Sequence, residues 1–190
     1  MDALRRIAGL VVRPNQEWER IAAEDTPVDV LIRRYIVPLC LLGPIATAIG
    51  MNYFDRAWDP DQGYRVPPGE IFTAVATTLF TSIFSVFVLA GIFVLIAPLY
   101  GSSRNYRDAL TVATYGAVPV LLAGATLVLP VMALVSVVAL LQTLYLYWLG
   151  AKRMLRVVRN EQAEFVGISM LLFSVAATFM GAIVSSIGAF

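Results

Sequence analysis

The stretch YGSSRNYRDALTVATYGAVP, residues 100–119, decides the fold of this chain. It ends one long apolar run, forms a short polar turn that carries Arg104, Arg107 and Asp108, and then re-enters apolar sequence. A charged turn between two apolar runs lies outside the bilayer hydrocarbon, and its basic residues indicate which side of the membrane it is on. The stretch therefore predicts a membrane protein and fixes one point of its topology.

The composition supports this interpretation over the whole chain. Hydrophobic residues make up 59% of the sequence and charged residues 14%, whereas soluble domains have about 25% charged residues. Four blocks contain no Asp, Glu, Lys or Arg, namely residues 35–54, 71–103, 109–151 and 165–190. Each block is at least as long as the roughly 20 residues that cross a bilayer. We therefore predict an all-α integral membrane protein.

The third block is too long for one span of ordinary thickness and long enough for two. Pro119, Gly124 and Pro130 offer a break, so we divide the block at a short turn just after Gly124. The result is a bundle of five transmembrane helices, with spans at about 35–54, 71–100, 107–124, 128–150 and 165–188. The predicted organisation is a cytoplasmic N-terminal segment, residues 1–34, followed by a five-helix transmembrane domain, residues 35–190.

The distribution of basic residues also favours five spans. With five, the N-terminal segment, the 101–108 turn and residues 151–164 share one side, which then holds 12 of the 14 Lys and Arg residues. If the third block were a single span, the division would be 8 against 6. Because positive charge collects on the cytoplasmic side, we predict a cytoplasmic N-terminus and an extracytoplasmic C-terminus.

The N-terminal segment is predicted to be amphipathic. Its apolar side chains share one helical face between residues 3 and 13: Leu4, Ile7, Leu10 and Val11. Such a pattern is typical of a helix that lies at the membrane surface. A second short amphipathic turn follows the break at Pro14. The segment can serve as a membrane-surface or partner-docking element, or it can pack on the cytoplasmic ends of the spans.

Two sets of residues are candidates for contacts with other molecules. Basic residues beside the membrane can hold anionic lipid headgroups or a partner, or can act only as topology determinants: Arg104, Arg107, Lys152, Arg153, Arg156 and Arg159. Hydroxyl residues recur every four residues in the second span and form a polar stripe: Thr73, Thr77, Thr81 and Ser85. The stripe indicates close helix packing, and the alternative is a path for a polar solute.

The sequence offers no candidate for catalysis, a cofactor or a metal. Histidine is absent, which removes the commonest general base and metal ligand. Cys40 is the single cysteine, so no disulfide can form within the sequence. The net charge is +1, whereas a nucleic-acid-binding domain is usually strongly basic. We therefore expect neither an enzyme nor a nucleic-acid partner.

Three segments resemble the bacterial members of the Yip family, the Ypt/Rab-interacting protein group. They are RPNQEWERI at 13–21, YIVPLCLLGPIATAIG at 35–50 and NYRDALTVATYGAVPVLL at 105–122. The resemblance covers nearly the whole chain and implies five spans with a cytoplasmic N-terminus. Eukaryotic members are linked to Rab GTPases and carry a longer N-terminal region with a DLYGP-type motif. Here the nearest strings are PLYG (98–101) and TYG (114–116) in other contexts, so Rab binding is not expected.

The residues and the resemblance together give two functional hypotheses. The first is a non-enzymatic protein of the bacterial inner membrane that organises lipids or an unidentified membrane or cytoplasmic protein partner, which can be a second copy of itself. The alternative is a transporter or channel for a small neutral solute, along the hydroxyl stripe. Because the four blocks contain no acidic or basic residue, proton coupling is not expected.

Overall fold

The computed structural model describes residues 3–53, 67–102, 104–128, 133–158 and 160–188. Five helical segments within these ranges are long and apolar enough to cross a membrane: Val28–Asn52, Pro68–Tyr100, Tyr106–Thr126, Leu134–Arg153 and Gln162–Ile183. The described ranges contain helices and turns but no strand. The prediction of an all-α integral membrane bundle with five spans is thereby confirmed.

The N-terminal segment folds into a pair of antiparallel helices, which we call the N-terminal hairpin. Helix α1 (Ala3–Val12) and helix α2 (Pro14–Ala23) meet at Arg13. Pro14 suits the first position of α2, where its missing N–H would have no partner in the helix. Gly9 allows the two helices to approach, because a Cβ atom there would lie 2.5 Å from Cγ of Glu17.

The first span is a helix interrupted by one wider turn. Helix α3 (Val28–Leu31) leads into a π-helical turn (Ile32–Ile36), and helix α4 (Val37–Tyr53) continues from it. Pro38, in the first turn of α4, has no N–H to donate to the preceding turn, and the π-helical turn lies directly before it. The helix thus begins at Val28, before the charge-free block that starts at residue 35. It can include Arg33 and Arg34 because both side chains lie on its exposed side.

Within the described residues, the remaining spans contain five α-helices and two short 3₁₀ turns. Helix α5 (Pro68–Ile96) ends in a 3₁₀ turn (Ala97–Tyr100), and the third span comprises α6 (Tyr106–Gly116), α7 (Val118–Ala123) and a 3₁₀ turn (Gly124–Val128). Helices α8 (Ala133–Arg153) and α9 (Gln162–Gly188) form the last two spans. Pro119 therefore lies within the third span, and the turn predicted just after Gly124 falls in the 3₁₀ turn that ends this span. The residues that join it to α8 lie outside the described ranges.

Helix α6 lies at the centre of the bundle. Every residue from Ala109 to Gly116 is buried, and its span is the most buried of the five. It packs against α5, α8, α3 and the π-helical turn, and Tyr35 of that turn meets Tyr115 near the end of α6. The N-terminal hairpin covers the face that would otherwise remain open, and Trp18 and Ile21 of α2 belong to the same hydrophobic core.

The structure favours packing for the N-terminal segment, although one face of α1 stays exposed. Leu10, Trp18 and Ile21 are fully buried against the spans. On the other side of α1, the side chains of Leu4 and Val12 are 78% and 73% exposed. Helix α1 therefore has two apolar faces, one that joins the core and one that is available to the surroundings.

Two glycines allow aromatic rings to lie directly on helix backbones. A Cβ atom at Gly116 of α6 would lie 2.2 Å from Cδ1 of Tyr147, and one at Gly150 of α8 would lie 2.9 Å from Cη2 of Trp18. Lipid chains are as apolar as the helices they surround, so close packing of this kind is a main source of stability between spans. These two contacts hold α6, α8 and the N-terminal hairpin together.

Replacing Gly116 with alanine should therefore destabilise the protein, because the new methyl group would overlap the Tyr147 ring. Overpacking of this kind costs about 1–3 kcal/mol. Gly91→Ala is the matched control, since Gly91 lies inside α5 with open space around it and alanine is the better helix former. Thermal unfolding in detergent should show a lower midpoint for Gly116→Ala alone. Equal midpoints for the two variants would contradict the packing described.

Candidate functional site

The basic residues meet the N-terminal hairpin at one end of the bundle. Arg107, at the start of α6, forms an ion pair with Asp25, and Nη2 of Arg153, at the end of α8, lies 2.7 Å from Oε1 of Glu19. This end of the bundle consists of the N-terminal hairpin, the 101–106 turn and residues 152–158, and we call it the basic end. Ion pairs thus join α8 to the hairpin and α6 to the segment that follows the hairpin.

A polar pocket of about 300 Å³ opens at the basic end. Three predicted contact residues line it, Arg107, Arg153 and Arg156, and three carboxylates face them, Glu24, Asp25 and Asp108. The three positive and three negative side chains give the pocket lining a formal net charge of zero. A pocket of this kind matches a partner that presents groups of both signs, rather than a simple anion.

Local hydrogen bonds fix Arg107 at the pocket. Asn105 caps α6, since its side-chain oxygen accepts a hydrogen bond from the Arg107 N–H at 3.1 Å. The side-chain amide of Asn105 donates to Asp108 at 2.8 Å. Nε of Arg107 donates to the carbonyl of Thr26 at 2.9 Å. The guanidinium group is therefore held between the start of α6 and the segment that leaves the N-terminal hairpin.

Arg156 occupies an unusual backbone position in the loop after α8. Its φ of 53° lies in the left-handed region, which non-glycine residues rarely adopt. The loop is fixed on both sides, because the Ser102 hydroxyl donates to the Leu155 carbonyl and the Val158 N–H donates to the Tyr100 carbonyl. Arg156 is exposed, and within the described ranges no carboxylate forms an ion pair with it.

Two other predicted basic residues, Arg104 and Lys152, do not line the pocket. Arg104 is exposed, and Nζ of Lys152 lies 5.7 Å from the centre of the Trp148 ring, a distance typical of a cation–π contact. Arg159 lies outside the described residues. The structure thus brings three of the six predicted residues together, and their role in binding stays a prediction.

Arg6 is a buried charge that the sequence pattern did not reveal. It is only 4% exposed, and its Nη2 lies 2.6 Å from each carboxylate oxygen of Glu24. Nη1 donates to the Tyr115 hydroxyl at 3.4 Å. Burial opposes the charged form, yet the bonds to Glu24 and Tyr115 outweigh it, so the pKa of Arg6 is raised above its ordinary value. One available signal was the spacing of four residues from Leu10, which puts Arg6 on the buried face of α1.

The hydroxyl stripe is divided between two environments. Ser85 lines a cavity of about 520 Å³ between α5, α7, α8 and α9, together with Ser82, Thr143 and Ser174. Thr73 is exposed and donates to the Gly69 carbonyl at 2.9 Å. Thr77 and Thr81 do not line this cavity. Only the end of the stripe nearest the basic end therefore meets the other hydroxyl groups.

Replacing Arg6 with leucine should lower stability, because Glu24 and Tyr115 would lose their shared donor. Hydrogen bonds to charged groups contribute about 1.5–3 kcal/mol, and the partial exposure of Glu24 places the expected loss near the lower value. Arg5→Leu is the matched control, since Arg5 is exposed on the same helix. The thermal midpoint in detergent should fall for Arg6→Leu and stay nearly unchanged for Arg5→Leu. An equal shift in both would show that the buried pair adds nothing.

Comparison with known families and proteins identifies the chain's relatives. The family model described as the Yip1 domain matches residues 8–187, which includes most of the N-terminal hairpin and all five spans. No curated protein matches the chain, and no solved structure does. The match to the family covers nearly the whole sequence and confirms the resemblance predicted from three of its segments. The chain belongs to the Yip1 domain family.

Proposed function

We propose that this protein is a non-enzymatic organiser that gathers a protein partner or lipids at its basic end, in a bacterial inner membrane. The observation that carries the proposal is the convergence of Arg107, Arg153 and Arg156 on one polar pocket with three carboxylates. Membership of the Yip1 domain family supports it, as that family consists of membrane proteins without enzymatic activity.

The composition of the pocket favours a protein partner. Two of its arginines are already paired, Arg107 with Asp25 and Arg153 with Glu19. Arg156 is the exposed cation of the set, and its loop is anchored to the turn before α6. A partner that presents a carboxylate to Arg156 and a basic group to the neighbouring acids would complement the pocket, and complementary charges determine which partner binds.

The cavity within the spans supports packing rather than solute transport. Its described lining carries no acidic or basic side chain. Three of its hydroxyl groups also have partners within the bundle: Ser85 donates to the Ser82 carbonyl, Ser174 donates to the Met170 carbonyl, and Thr143 accepts from the Val120 N–H. Hydroxyl groups engaged in this way offer less to a passing solute, so we retain the organiser as the proposed function.

The partner can be tested with a matched pair of charge reversals. We expect that affinity-tagged protein, extracted in mild detergent from its own cells, retains a reproducible partner, and that Arg156→Glu loses most of it. Arg104→Glu should retain it, because Arg104 is exposed at the same end but does not line the pocket. Mass spectrometry of the bound fraction makes the comparison. The same bound proteins in both variants and the unaltered chain would exclude the pocket as the binding surface.

The orientation forms part of the proposal, with the basic end facing the cytoplasm. Most Lys and Arg residues of the sequence belong to the segments at that end, and positive charge collects on the cytoplasmic side. A reporter active only outside the cytoplasm should therefore be active when fused after Phe190 and inactive when fused before Met1. Activity in the reverse pattern would overturn the orientation.

A further inference from the structure

A second, apolar groove lies beneath the tip of the N-terminal hairpin, away from the polar pocket. It has a volume of about 330 Å³, and its walls include Val11 of α1, Pro119 and Leu122 of α7, and Val138 and Gln142 of α8. The groove is open to the surroundings, since the side chain of Val138 is 65% exposed. Because α7 and α8 belong to spans, the surroundings of this groove are lipid chains.

The tip of the hairpin reaches deep along α8. The side-chain amide of Gln142 donates to the Val11 carbonyl at 3.5 Å, and that of Asn15 donates to the Tyr145 hydroxyl at 3.3 Å. At about 1.5 Å per residue, Gln142 lies about 16 Å along the helix from Arg153. This distance is about half of the roughly 30 Å thickness of the hydrocarbon core. The tip of the hairpin therefore lies deeper along the bundle than Arg153 and the other charged side chains of the polar pocket.

Arg13 places a positive charge at this depth. It is exposed, it follows Val11 by two residues, and within the described ranges no carboxylate pairs with it. A charged side chain below the membrane surface extends toward the headgroups or draws them inward. The lipid phosphate is the anion that a bilayer supplies, and the planar guanidinium group matches its geometry.

The geometry points to a binding site for one anionic phospholipid, with its phosphate on Arg13 and an acyl chain in the groove. The site has the same polarity as such a lipid, because Arg13 follows the lining residue Val11 by two positions, the amide of Gln142 belongs to the lining, and most of the other lining side chains are apolar. The groove is separate from the polar pocket at the basic end. A lipid bound here and a partner bound there are therefore independent, and either can be disproved without the other.

Native mass spectrometry of the full chain in detergent tests the site, with phosphatidylglycerol and phosphatidylcholine as probes. The unaltered chain should retain one phosphatidylglycerol in preference to phosphatidylcholine. Arg13→Gln should weaken this binding about tenfold, since a charge-assisted contact is lost. Arg5→Gln, which removes an exposed arginine elsewhere on α1, should leave it unchanged. Equal retention of the two lipids, or full retention by Arg13→Gln, would overturn the proposal.

A second matched pair tests the groove itself. Val138→Gln places a polar group in the groove, whereas Val137→Gln alters the next residue, which is 55% exposed and does not line it. Lipid binding should fall for Val138→Gln only, and equal binding by both variants would exclude the groove. Inorganic phosphate added in excess should not displace the lipid, because the acyl chain contributes to binding. Displacement by phosphate would show a free-phosphate site in place of a lipid site. Both valines are exposed, so both variants should fold.

Discussion

Tyr115 is the side chain through which the N-terminal hairpin and the spans are joined. Its ring meets Tyr35 of the first span at 4.9 Å and Trp18 of α2 at 6.4 Å between ring centres, each edge to face. Its hydroxyl accepts from Arg6, whose charge Glu24 balances. Edge-to-face aromatic pairs stabilise beyond the area they bury. The contacts of this one residue thus connect three parts of the chain around α6.

This arrangement explains why a helix with many hydroxyl groups can form the centre of a membrane bundle. Thr111 and Thr114 lie on α6 and are buried, and Thr111 donates to the Arg107 carbonyl. Neighbouring helices and the N-terminal hairpin surround these residues in place of lipid. The glycines at 116 and 150 allow that enclosure to be tight, since an aromatic ring occupies the space of each missing side chain.

The sequence predicts the spans well because a segment that crosses the bilayer must be free of charge over the thickness of the hydrocarbon core. This property can be read from each segment alone, whatever the other helices do. The positions of Arg6 and Arg156 could not be predicted in the same way. Whether Arg6 faces lipid, water or protein depends on which helix packs on α1, and that contact joins residues more than a hundred positions apart. Likewise, Arg107 and Arg156 meet only because α8 ends beside the start of α6.

The enclosure of α6 also has a consequence for how the protein is made. A nascent third span carrying Thr111, Thr114 and Tyr115 would present these groups to lipid if it left the insertion machinery alone, and polar groups without partners are costly there. The N-terminal hairpin precedes α6 in the sequence, so its residues are synthesised before the central helix enters the bilayer. The side chains that cover Tyr115, among them Arg6 and Trp18, therefore already exist when α6 is inserted.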